Sequence, residues 1–119
     1  MLALIVEDDA SLRVIYRRVL EDLGFKVLEA ADGIAALNIL ETAAPDVIFL
    51  DMLLPTINGV TVLNHIVTEP SLRQTHTVIV SSNKQFERME RPDMGITFML
   101  KPIRPAQIKE IAAAIAQRM

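Results

Sequence analysis

Val47-Ile48-Phe49-Leu50-Asp51-Met52-Leu53-Leu54-Pro55 runs from unbroken apolar side chains into a carboxylate and then into turn chemistry. Pro45-Asp46 opens the run, and Pro55 with Asn58-Gly59 closes it. Successive apolar residues with β-branched and aromatic members suit a parallel strand covered on both faces by helices. In open α/β sheets, ligands sit beyond the carboxyl ends of the strands, so Asp51 stands where chemistry is expected. Taken alone it reads equally well as a loop aspartate or a helix cap, and the other strand ends must decide.

Leu2 to Val6 is a second short apolar run, and it ends in Glu7-Asp8-Asp9. From Ser11 the period changes: Leu12, Ile15, Tyr16, Val19, Leu20 and Leu23 recur at spacings of three and four, one apolar helix face. Gly24 reads as the residue after the helix end. Asp9 reads as the cap of this helix ahead of any role in metal ligation, and Arg13, Arg17 and Arg18 as its solvated face. Phe25 to Ala30 is a less apolar strand, suited to an edge. Asp32-Gly33 begins a second helix with Ile34, Leu37 and Leu40 inward, Asp32 as its cap, and Pro45 ends the segment.

Beyond the Asp51 strand, Val60, Leu63, Ile66 and Val67 form a third helical stripe. Thr77-Val78-Ile79-Val80 is a fourth strand delivering Ser81-Ser82-Asn83. Lys84 to Arg91 leaves room for a short fourth helix before Pro92. Ile96 to Leu100 is a fifth strand ending in Lys101-Pro102, and Pro105, at a first helical position, starts a last helix with Ile108, Ile111, Ala112 and Ile115 inward. Strands alternating with helices through short connections imply a parallel sheet with right-handed crossovers, the doubly wound α/β class.

The chain's 119 residues suit a single domain, 1–119. Termini close to structured elements fit a complete protein or a cleanly excised module. With 51% hydrophobic and 23% charged residues, the composition excludes disorder. A net charge of -3 without a dense Lys or Arg cluster argues against direct nucleic-acid binding. The absence of Cys excludes disulfides and thiolate metal sites. No apolar run approaches the roughly 20 residues of a membrane helix, and Met1 to Val6 is too short for a secretory signal. A cytoplasmic protein is expected.

The strand ends together offer Glu7, Asp8 and Asp9, then Asp51, then Ser81 or Ser82, then Lys101. Clustered carboxylates repel and raise one another's pKa values unless a cation neutralises them. An all-oxygen donor set points to a hard ion, and Mg²⁺ is typically held by one or two carboxylates together with phosphate oxygens and water. Lysine and a hydroxyl can stabilise a transferring phosphoryl group. The set suits phosphoryl transfer to a carboxylate nucleophile.

Over essentially its whole length the sequence resembles the receiver domain of two-component response regulators. Val6-Glu7-Asp8-Asp9 resembles the acidic pair of that family, and Asp51 to Pro55 followed by Asn58-Gly59 resembles its phosphoacceptor segment. Ser81 matches the hydroxyl position, and Lys101-Pro102 the lysine with its cis-peptide proline. The resemblance implies a flavodoxin-like (βα)5 fold, strand order 2-1-3-4-5. It implies that Asp51 takes a phosphoryl group from a histidine kinase or phosphotransfer protein with Mg²⁺ as cofactor, Mn²⁺ substituting. Asp8, Asp51 and the Leu53 backbone carbonyl are then the metal ligands, with Glu7 acting partly through water. Ser81 and Phe98 take the switch positions, and Leu53 and Asn83 flank the water that ends the phosphorylated state. Output goes to a downstream protein, from a monomer or weak dimer.

The stretch between Ser81 and Lys101 is slightly shorter than the family's common pattern, and Pro92 cuts the fourth helix. Two other classes share parts of this chemistry. An aspartyl-nucleophile phosphatase or phosphotransferase would carry its nucleophile on the first strand with a second acid two residues on, where this chain has Leu53. A receiver-shaped module that is never phosphorylated has no need of the intact acids, hydroxyl and lysine.

Overall fold

The computed structural model describes residues 1–118, so the expected domain 1–119 ends one residue outside the described range. Five strands, β1 (Leu2–Val6), β2 (Lys26–Ala30), β3 (Val47–Asp51), β4 (His76–Ser81) and β5 (Ile96–Leu100), form one parallel sheet in the order β2-β1-β3-β4-β5. Four α-helices connect or follow them: α1 (Ala10–Asp22), α2 (Gly33–Leu40), α3 (Gly59–Thr68) and α4 (Pro105–Gln117). This is the expected doubly wound fold, with the more polar β2 at an edge.

Alternation along each central strand feeds two cores. Ala3 and Ile5 of β1 and Val47 and Phe49 of β3 enter the layer that contains Tyr16 and Leu20 of α1 and Ile108, Ala112 and Ile115 of α4. Leu4, Val6, Ile48 and Leu50 enter the opposite layer, with Ala36 and Leu40 of α2 and Val62, Leu63 and Ile66 of α3. Tyr16 and Phe49 meet with ring centroids 5.1 Å apart and planes tilted by 50°, a geometry that adds about 0.5–1.5 kcal/mol beyond area burial.

The helix ends follow local chemistry. Asp9 caps α1, its carboxylate accepting the N–H groups of Ser11 and Leu12 at 2.8 and 3.1 Å. Asp32 and Asn58 cap α2 and α3 through Ala35 and Thr61. Gly24, at φ +91°, turns the chain out of α1 in the left-handed region that glycine enters without steric cost.

The inward stripes are narrower than the apolar periodicity suggests. Ile15, Ile34 and Val67 are 37%, 48% and 40% exposed, and α2 buries the small residues Gly33 and Ala36 beside Leu40. A helix facing a flat sheet buries only one stripe, so apolar residues at its margins stay wet.

The fourth connection departs most from expectation. Lys84–Met89 forms a 3₁₀ helix and Pro92–Met94 a 3₁₀ turn, where a short α-helix is expected. Pro92 drives Arg91 out of the α region, to φ -141° and ψ 80°. With three residues per turn, positions i and i+3 eclipse, so Phe86 and Met89 lie on one side and both pack against the layer that also takes Phe98.

Candidate functional site

Strand parity and register build the site. Glu7 continues the Ala3–Ile5 face of β1, Asp51 the Val47–Phe49 face of β3, and Lys101 the face of Met99 on β5. The Val6–Leu50 rung puts Glu7 and Asp51 side by side where the two strands end. Asp51 sits in the middle of the sheet with 4% of its surface exposed, and Glu7 with 2%.

Lys101 Nζ reaches across the end of β4 and donates to Asp51 Oδ2 at 2.9 Å and to Glu7 Oε1 at 3.1 Å. The Lys101–Pro102 peptide that precedes the turn into α4 is cis. The other Asp51 oxygen, Oδ1, accepts the Leu53 N–H at 2.9 Å. Glu7 Oε2 accepts the Asp9 N–H at 3.1 Å. Asp8 is exposed, yet it offers a carboxylate oxygen to a group in which Glu7, Asp8 and Asp51 oxygens all lie within 4.8 Å of one another. Asp9 is not in that group and serves α1 instead, consistent with its reading as a cap.

Gly59 seats α3 against this end of the sheet. A Cβ there would lie 2.5 Å from Met52 Cα and 2.7 Å from Asp51 O, closer than real side chains approach. Only glycine admits the helix N-terminus so near the backbone that carries Asp51.

Burial is the chief cause that lifts the Glu7 carboxyl to about 7, with the Asp8 and Asp51 carboxylates adding to it and the Asp9 N–H and Lys101 opposing. Burial works against the Lys101 ammonium, but its hydrogen bonds to Asp51 and Glu7 outweigh that and raise its pKa above the usual lysine value. Three carboxylates thus face one ammonium. The excess negative charge and the oxygen-only donors suit a hard divalent cation, and the 4.8 Å spread is near the roughly 4 Å between opposite ligands of octahedral Mg²⁺.

Ser81 is buried at the end of β4, and its hydroxyl accepts the Asn83 N–H at 3.0 Å. Among the described residues the hydroxyl makes no hydrogen bond to Asp51 or to the Lys101 ammonium, while the Ser81 carbonyl accepts the Lys101 backbone N–H at 2.9 Å. Leu53 is 58% exposed. Asn83 is exposed, and its Oδ1 accepts the Gln85 N–H at 3.0 Å. Phe98 is half-buried, on β5.

The family model of the response regulator receiver domain matches residues 3–113. The chain belongs to that family. As a receiver domain it is similar to chemotaxis protein CheY-3 of Vibrio cholerae, 30% identical over 122 residues that cover 100% of this chain and 94% of that protein. It is also similar to the phosphate regulon transcriptional regulatory protein PhoB of Escherichia coli, 31% identical over 118 residues, 98% of this chain and 52% of that protein. The chain therefore spans about half the length of the transcriptional regulators it matches. Among solved receiver structures, chemotaxis response regulator CheY4 of Vibrio cholerae superposes with a TM-score of 0.83 at 26% identity, over 96% of this chain and 97% of that one. The receiver domain of a Pseudomonas aeruginosa sensor histidine kinase, solved with a magnesium ion in its active-site cleft, superposes with a TM-score of 0.81 at 26% identity, over 97% of both chains.

Two contacts escape the sequence. Arg13, read as solvated, folds back onto Glu7, and Glu90 reaches β5. The one signal for Arg13 is its place in the first turn of α1, where a cation opposes the helix dipole.

Proposed function

We propose that this receiver takes a phosphoryl group onto Asp51 from a partner histidine kinase or phosphotransfer protein, in a Mg²⁺-dependent reaction, and passes the signal on through a protein contact. The observation that carries this reading is the buried Asp51 carboxylate at the end of the central strand, bonded to Lys101 and grouped with Glu7 and Asp8. In the transfer an Asp51 oxygen attacks phosphorus as the P–N bond to the donor histidine breaks. The electron pair leaves with the imidazole, which takes up a proton, and Asp51 becomes an acyl phosphate.

Lys101 holds positive charge beside the oxygen that reacts, and is already oriented by Glu7 when the donor arrives. Asp8, Asp51 and the Leu53 carbonyl would hold the cation, with Glu7 behind them through water. Mg²⁺, when bound, supplies the charge that neutralises the phosphoryl oxygens. Ser81, whose oxygen accepts from Asn83, keeps its own proton to donate to a phosphoryl oxygen, which would draw the β4 end inward and Phe98 with it. On this reading the chain is one receiver unit, 1–119, working in the cytoplasm as a monomer or weak dimer and not as a turnover enzyme. Among the described residues no helix is long and apolar enough to cross a membrane.

Incubation with Mg²⁺ and a small acyl-phosphate donor, followed by intact mass, tests the reading. One stable phosphoryl adduct supports it. Continuous release of phosphate without an adduct would indicate a phosphatase, and no reaction a receiver-shaped module that is never phosphorylated.

A further inference from the structure

Arg13 lies in the first turn of α1, near the positive end of the helix dipole, where a cation is disfavoured. It is held there by contacts outside the helix. Its Nη1 donates to the backbone carbonyl of Glu7 at 2.7 Å, and its Nε donates to Glu29 Oε1 at 3.1 Å. Its side chain is only 20% exposed. Glu29 stands on β2 in register with Ile5, and its second oxygen accepts Arg17 Nε at 2.6 Å. Arg17 is in turn bonded to Glu21 and to the Val27 carbonyl, at 3.0 and 3.3 Å. Each oxygen of Glu29 thus serves one arginine.

The β1–β2 hydrogen bonding stops at Glu7, whose N–H donates to Ala30 O at 3.0 Å. Beyond that point Arg13 provides what the sheet no longer does, a bond to the Glu7 carbonyl. We infer that Arg13, clamped by Glu29, is a positioning residue for the acidic loop: it fixes the backbone from which Glu7 and Asp8 project toward Asp51. The fork of a guanidinium, able to bond two acceptors at fixed angles, is what the junction requires. The inference rests on the Mg²⁺-dependent reading above.

Charge and geometry make opposite demands. Arg13 is a cation behind a cation site, so if only its charge mattered, removing it would leave Mg²⁺ affinity equal or higher. Positioning requires the affinity to fall. Mg²⁺ titrations of the full chain, followed by NMR, would compare the native protein with Arg13→Gln, Glu29→Gln and Arg18→Gln. Arg18 is exposed on the same helix and removes the same charge. The phosphorylation rate with a small acyl-phosphate donor at saturating Mg²⁺ would be measured alongside.

Arg13→Gln and Glu29→Gln should each weaken Mg²⁺ about tenfold, the lower end for partners behind metal ligands. Arg18→Gln should bind like the native protein, and the rate should recover once Mg²⁺ saturates. Native or tighter binding by a folded Arg13→Gln variant overturns the inference. Should Arg13→Gln fail to fold by circular dichroism, Arg13→Lys decides by itself, since it keeps the charge and removes the fork that bonds the Glu7 carbonyl and Glu29 together: weakened Mg²⁺ supports the inference and native affinity overturns it. A native protein that binds no Mg²⁺ defeats the functional reading first, whereas native binding with unaltered variants defeats this inference alone.

Discussion

Glu90 Oε2 accepts the backbone N–H of Phe98 at 2.9 Å. Phe98 therefore sits on the edge strand β5 with its outward N–H closed by a carboxylate from the 3₁₀ connection. An isolated antiparallel bridge between Arg91 and Ile96 adjoins it. Together they fasten the connection to β5 where an α-helix would instead lie across the sheet.

Glu90→Ala should cost about 1.5–3 kcal/mol of stability, the usual worth of a hydrogen bond to a charged group. It should also raise hydrogen exchange at the Phe98 amide above that at amides within β3. Exchange at Phe98 unchanged from the native protein would show that the contact does not hold the edge.

On the proposed reading, Glu7 would couple Mg²⁺ binding to pH. Its folded pKa of about 7 lies above the ordinary carboxyl value of 4.5, so the metal-free fold binds this proton more tightly than the unfolded chain does. The resulting stability is fully present below about pH 4.5 and is lost as pH rises through 7. Mg²⁺ needs the carboxylate form, so its binding displaces the proton. Affinity should fall by up to about tenfold from pH 8 to pH 6, and Glu7→Gln should flatten the dependence. Calorimetric titrations at the two pH values check this, and equal affinities in the native protein would refute it.

On the proposed reading, Leu53 and Asn83 would set how long a phosphorylated Asp51 lasts. Hydrolysis needs a water aligned opposite the Asp51 oxygen, and Leu53 offers that water an apolar side chain with no hydrogen bond. The Oδ1 of Asn83, an acceptor able to orient it, is turned toward the Gln85 N–H with one lone pair left, so the apolar cover at Leu53 is taken as the stronger effect. Phosphate should therefore be lost slowly, and Leu53→Asn should lose it roughly tenfold faster, about 1.4 kcal/mol in the barrier. The decay of phosphorylated protein after donor removal, with Mg²⁺ present, is the measurement. A decay as slow as native or slower would defeat the water-access argument.

What the sequence revealed and hid follows from range. The strands β1 and β3 are legible because a strand covered on both faces must be continuously apolar, and Asp9, Asp32 and Pro105 are legible because caps act within a turn of the chain. Glu7, Asp51 and Lys101 could be listed as strand ends, but their convergence needed the strand order. Ile15 and Ile34 misled because periodicity gives a helix face without its width. The 3₁₀ connection was hidden because Phe86 and Met89, three residues apart, satisfy either helix type. The bonds of Arg13 to Glu29 and of Glu90 to Phe98 join residues distant along the chain, with no local pattern to announce them.

The central claim is that Asp51 is the phosphoacceptor, and intact mass of the native protein beside Asp51→Asn tests it most directly. Both would be incubated with Mg²⁺ and a small acyl-phosphate donor, with circular dichroism confirming that the variant folds. The amide keeps the shape of Asp51 and its bond to the Leu53 N–H but is no nucleophile toward phosphorus. The native protein should gain one phosphoryl group and Asp51→Asn none. A full-stoichiometry adduct on Asp51→Asn, or none on the native protein at saturating Mg²⁺ and donor, would contradict the account.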